Sequence, residues 1–158
     1  ELPPYCIAGR DENGGWHIIK TAKVLEAVET AGKIIKVAKN HLFAIGDFVT
    51  VGGKFDGASD KITAIDKSNA AYDSITLAAA IGAMAKDMVL VVVKAKADTG
   101  SAEATVEISE VVITMAKVDL TVANQSCGLM VRGTIEERNM PFPLDADLKK
   151  LMPLIRFV

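Results

Sequence analysis

The side chains that most invite a chemical role are few: His17 and His41, Cys6 and Cys127, and the close carboxylate pairs Glu136/Glu137 and Asp145/Asp147. Nucleophilic catalysis needs a thiol or hydroxyl held against a base, and a metal site needs several His, Cys or carboxylate ligands converging. Neither histidine has a second histidine or a cysteine close in sequence, and the cysteines lack CxxC spacing. GxSxG, HExxH, GxxxxGK[ST] and GxGxxG are all absent. Gly52-Gly53-Lys54 lacks the spacing of a phosphate loop, and Asp56 to Asp60 (DGASD) lacks the ligand spacing and terminal Glu of a calcium loop, so it reads as a turn. Nothing places either carboxylate pair across a cleft, as a glycosidase requires. His41, heading the turn NHLFAIGD, reads as a capping or packing residue. The cysteines read as small buried hydrophobes, with a disulfide between the N-terminal segment and the late strands as the alternative. The expectation is a non-enzyme with no catalytic residue, no cofactor and no metal.

Charge narrows the partners. Eighteen basic and 20 acidic residues give a net charge of −2, with both signs scattered along the chain. No basic footprint for nucleic acid and no basic amphipathic face for a membrane surface is present. The longest apolar run, Met88 to Val93, is far too short to span a bilayer. Residues 1–9 lack a basic segment followed by an apolar core, so no signal peptide is expected, and the first residue, Glu1, reads as a processed or trimmed end. Hydrophobic residues make up 50% of the chain but aromatics only 5%, so small aliphatics must form the core, and the excess hints at subunit contacts.

The elements that would position these residues are mostly strands. Residues 5–19 read as a hairpin around Asn13-Gly14, with Trp16 a half-buried anchor and His17 on the opposite face. Residues 21–31 read as a helix, with Val24, Val28 and Ala31 on one face, Thr21 able to cap it and Gly32 to stop it. From Lys33 the period changes to that of strands, centred on Ile34–Val37, Phe48–Val51, Ile62–Ile65, Ser74–Leu77 and Met88–Val93. Gly46-Asp47 is expected as a tight turn, echoed by Lys86-Asp87. Residues 97–104 read as a loop, Thr105–Met115 and Gly128–Glu136 as strands, and Pro141 and Pro143 as an extended entry. Asp145 can cap a short helix ended by Pro153, and Leu154 to Val158 returns as a strand. The fold class is mainly β, a small β-barrel or sandwich with one or two short helices. The strand Met88–Val93, apolar on both faces, should be central or covered by a neighbour. Val89, Val91 and Val93 are the candidate oligomer interface, and the helix at 21–31 is the alternative cover. The chain divides into an N-terminal hairpin and helix (1–32, an arm or attachment segment), a barrel-like core (33–96), and later strands with a short helix packing on it (97–158).

Two stretches, AKNHLFAIGDFV (38–49) and ITAIDKSNAAYD (62–73), resemble a module of tailed-bacteriophage head proteins. The tail GTI (133–135), MPFPL (140–144) and IRFV (155–158) is similar to the end of phage head-fibre proteins. The resemblance implies a non-enzymatic virion component, a head fibre or head-decoration protein on the outer capsid surface. It also implies the major capsid protein as partner and self-association as a homotrimer. The rival readings are a carbohydrate- or partner-binding β module and a virion-associated glycan hydrolase.

Overall fold

Strands dominate the computed structural model, which describes residues 1–11, 13–52, 57–98, 110–119, 121–122 and 126–158. In chain order they are β1 (Ile7–Arg10), β2 (Trp16–Ile18), β3 (Thr21–Lys23), β4 (Ile34–Val37), β5 (Phe48–Val51), β6 (Asp60–Asp66), β7 (Asp73–Leu77), β8 (Val89–Val93), β9 (Val111–Thr114), β10 (Leu129–Met130), β11 (Gly133–Ile135) and β12 (Ile155–Phe157). A 3-10 turn (Glu137–Asn139) and one helix, α1 (Ala146–Lys150), lie between β11 and β12.

The strands form three sheets. The largest is six-stranded in the order β3-β8-β5-β6-β7-β4; a four-stranded sheet runs β10-β9-β1-β2; β11 and β12 pair alone, in parallel. A register shift between Ile62 and Ala64 bends β6, and the large sheet curls over one core. A single bridge, Val24 to Val37, pins its outer strands together, with Leu25 N–H donating to the Lys36 carbonyl at 2.9 Å. No continuous ladder closes the ring, so the fold is sandwich-like rather than a closed barrel.

Alternation explains the first core. Ala22, Val24, Ile35, Val37, Val49 and Ile62 point into it, joined by Ile75, Leu77 and Leu90. The second core lies between the large sheet, the four-stranded sheet and α1, and holds Ile7, Ile19, Val91, Ile113, Ile135 and Leu148. β8 stands between them, with Leu90 in the first core and Val89 and Val91 in the second.

Residues 21–31 are not helical. Thr21–Lys23 pairs with β8, Val24 N–H donates to the Met88 carbonyl at 2.8 Å, and Val28 bridges Met84. An eleven-residue helix is marginal in water, whereas this route gives ladder bonds to a buried strand and buries Ala22 and Val24. Val24 and Val28 do share a core, but through sheet contacts. Thr21 caps nothing; its Oγ1 donates to the Pro143 carbonyl at 2.8 Å. The first 32 residues are also not a separate arm, since β1 pairs with β9 and β3 joins the large sheet.

The hairpin at 5–19 forms, but its turn is built by Asp11, whose carboxylate accepts from the amides of Asn13 and Gly15 at 2.9 and 2.7 Å. Trp16 is 43% exposed, close to the half-buried placement expected, on the edge strand β2 where it pairs with Arg10. The strand expected over Gly128–Glu136 breaks at Val131-Arg132, giving β10 to one sheet and β11 to another. The loop 97–104 and the first half of the strand expected from Thr105 lie outside the described residues, apart from Ala97 and Asp98; Ala97 bridges Ser59. Of DGASD, Asp56 lies outside them too, and Asp60 opens β6 rather than turning.

The Gly46 turn is as expected. Gly46 has φ +104°, and Asp47 N–H closes the turn on the Ala44 carbonyl at 3.2 Å. Its echo falls one residue off the sequence alignment: Asp87, at φ +72°, takes the place of Gly46, and Met88 N–H meets the Ala85 carbonyl at 3.4 Å. A Cβ at Gly46 would meet only the Lys61 Cε at 3.9 Å, so the objection to a side chain is conformational. Gly46→Val is therefore expected to cost about 1–3 kcal/mol in urea unfolding, with Gly82→Ala, at φ +103° and with nothing near its added Cβ, as the matched conformational control.

Candidate functional site

The stretches 38–49 and 62–73 meet in one polar cluster with a buried His41 and Asp73. Asn40, at φ +64°, turns the chain so that the His41 side chain, 1% exposed, faces β7. Its Nδ1 accepts from the Phe43 amide at 3.2 Å, which leaves the ring proton on Nε2. Nε2 lies 3.3 Å from Asp73 Oδ2, yet off the direction of a good hydrogen bond, so it is buried without a hydrogen-bond partner. Asp73 is 3% exposed and receives the Lys39 ammonium on Oδ1 at 2.6 Å. Lys39 also donates to the Lys67 carbonyl at 3.2 Å. Burial pushes the His41 pKa below its ordinary value, against the pull of the Asp73 carboxylate. The ring is neutral at neutral pH, with its one acceptor nitrogen already engaged.

Several other polar residues of these stretches close turns. Asp47 accepts from the Ala44 amide at 2.8 Å and from Lys20 Nζ at 2.7 Å, Asp66 from the Ser68 amide at 2.9 Å, and Asn69 from the Ala71 amide at 2.8 Å. The tail behaves in the same way. GTI and IRF form the parallel pair β11–β12, burying Ile135 and Ile155. Sequence reasoning finds His41 but misses Lys39 and Asp73 as its partners; their opposite charges on the two stretches were the available signal.

The other residues with chemical potential are dispersed. His17 Nε2 lies 2.6 Å from Asp11 Oδ2 at the exposed hairpin, and this bond helps hold the Asp11 carboxyl below its usual range. Asp145 caps α1 through the Asp147 amide at 2.6 Å, Asp147 pairs with Lys150, Glu136 with Arg138, and Glu137 with Lys149. Among the described residues no group of three or more His, Cys, Asp or Glu could hold a metal ion. The cysteines are free, and only Cys6 is buried; Cys127 is partly exposed. Burial pushes the Cys6 thiol up to about 11. With a thiol reagent near pH 8, one thiol is expected to react in the native protein, mapping to Cys127, and a second only after unfolding. Equal native rates at both would contradict the packing of Cys6.

Val89, Val91 and Val93 do not form a surface. They are 7%, 0% and 5% exposed within a single chain, which itself supplies the cover on both sides of β8. Exposed apolar side chains lie elsewhere: Ile34 and Ile45 singly on the large sheet and its turn, and Val131, Leu154 and Val158, 62%, 61% and 57% exposed, around β11–β12. Thr134 and Arg156, paired across that ladder, face outward with them, and Arg132 is exposed beside Val131. No protein-family model, curated protein or solved structure matches the chain.

Proposed function

We propose that the protein is a non-enzymatic virion component that binds the outer capsid surface of a tailed phage, as a head fibre or decoration protein, with the major capsid protein as partner. The observation that carries the reading is how the stretches 38–49 and 62–73 are used: Lys39, His41 and Asp73 pack together across them, and Asp47, Asp66 and Asn69 close their surface turns. A likeness made of fold-holding residues is one of architecture rather than chemistry, which suits a structural protein. The attachment face in this reading is the outer side of β11–β12, where exposed Leu154, Val158 and Val131 lie beside Arg132 and Arg156. Apolar side chains bordered by guanidinium groups suit a partner surface that offers both apolar area and carboxylates. Self-association as a homotrimer, in the same reading, uses exposed strand edges rather than Val89, Val91 and Val93.

Co-sedimentation with fibre-stripped heads of a tailed phage tests it. Pelleting should saturate at a fixed copy number per head. The double variant Leu154→Asp/Val158→Asp should bind at least tenfold more weakly with an unchanged circular dichroism spectrum. Absence of pelleting, or pelleting indifferent to these substitutions, would overturn the reading.

A further inference from the structure

A cavity of about 250 Å³ opens between the β3–β8 side of the large sheet and the segment that follows the 3-10 turn. Lys23, Asp87 and Val89 line it from the sheet; Glu137, Phe142 and Leu144 line it from the opposite wall. That wall is held in place. Pro141 and Pro143 keep it extended, Thr21 Oγ1 grips the Pro143 carbonyl at 2.8 Å, and Asp145 caps the helix just beyond.

The polar groups sit at the mouth. Asp87 is set there by its left-handed backbone and by its amide, which donates to the Val24 carbonyl at 2.8 Å. Its Oδ1 meets Lys23 Nζ at 2.8 Å, with the two side chains about half exposed. Glu137 uses Oε1 for Lys149. A carboxylate can accept on both oxygens, and the Lys23 ammonium has three hydrogens to distribute.

These features select a ligand by elimination. An anion would face two carboxylates, and a cation would compete with Lys23 and Lys149 for them. A purely apolar ligand would strip water from Lys23, Asp87 and Glu137 without replacing its hydrogen bonds. A neutral polyhydroxylated ring meets every requirement. It donates hydroxyls to Asp87 and Glu137, accepts from Lys23, and lays its C–H face against Phe142, Val89 and Leu144. The volume is below the range of about 300–1,000 Å³ usual for drug-sized ligands, and one ring suits it. We infer that this cavity binds a single neutral sugar residue. The site stands whether or not the chain decorates a capsid.

Amide proton–nitrogen correlation spectra of the full chain, titrated with methyl glycosides of glucose, galactose, mannose and N-acetylglucosamine, test it. At least one glycoside should give saturable shifts at the amides of Lys23, Asp87, Val89, Glu137 and Phe142, with a Kd of about 1–10 mM. Asp87→Asn, which keeps a residue tolerant of positive φ, should weaken that binding about tenfold. Glu137→Gln, on the other wall, should do the same and guards against a turn defect in the first variant. Acetate and methylammonium serve as charged probes. No saturable shift from any glycoside up to about 100 mM, shifts confined to other residues, or saturation at these amides by a charged probe instead would each overturn the assignment.

Discussion

Val91→Asp is expected to unfold the protein outright rather than to release folded subunits. Val91 is fully buried, its backbone pairs with Thr21 on one side and Thr50 on the other, and its side chain lies in the cluster of Ile7, Ile19, Ile113 and Leu148. A carboxylate there has no cationic partner in that apolar cluster. An unpaired charge buried in such a site costs more than about 4 kcal/mol, a large part of the 5–15 kcal/mol that typically holds a domain together. Val91→Ala, which only removes two methyl groups, should cost ~2 kcal/mol and remain folded. Circular dichroism and urea unfolding separate the outcomes. A Val91→Asp protein with a native spectrum and an ordinary melt would contradict the placement of β8 between two cores.

Asp73→Ala should be the most costly change in the polar cluster. It strips Lys39 of its carboxylate and leaves the His41 ring beside an empty site. Breaking a buried ion pair from one side typically costs about 3–5 kcal/mol; Lys39 remains 30% exposed and can turn to water, so the lower end is expected. Lys39→Met combined with Asp73→Ala should cost less than the sum of the single changes, which a double-mutant cycle in urea would reveal.

The same cluster predicts a pH dependence whose sign follows from burial. The folded protein resists protonation of His41, whereas the unfolded chain takes the proton at the ordinary value of 6.5. Below that value the unfolded state binds more protons, so stability is full above pH 6.5 and falls as pH drops towards the depressed folded value. The slope from this one group cannot exceed about 1.4 kcal/mol per pH unit. Urea unfolding at pH 7.5 and 5.5 should show the loss, and His41→Gln should reduce it. An equal slope in the variant would place the effect on other groups.

Much of this was written locally. Gly46, Asp66, Asn69 and Asp145 act on the few residues beside them, so their turns and cap could be read from sequence. The strands β4 to β8 followed from apolar runs separated by those turns. The helix at 21–31 failed because Val24 and Val28 fit two periods; the hydrogen bonds that decide between them come from Met88 and Met84, some sixty residues away. The candidate site was half legible: His41 and its turn stand out, but Lys39, His41 and Asp73 become one cluster only when β4 pairs with β7.

By itself, then, the amino-acid order determined a mainly β chain, the places where it turns, and the capped helix near Asp145, because each depends on interactions within a few residues. What covers β8 was decided only by tertiary structure. An apolar face is equally satisfied by a second subunit or by another part of the same chain, and hydrophobic burial carries no label for its source. Here Ile7, Ile113 and Leu148, drawn from both ends of the sequence, supply that cover. The cavity beside Phe142 arose in the same way, from walls contributed by Lys23, Asp87 and Glu137, residues that share no local pattern.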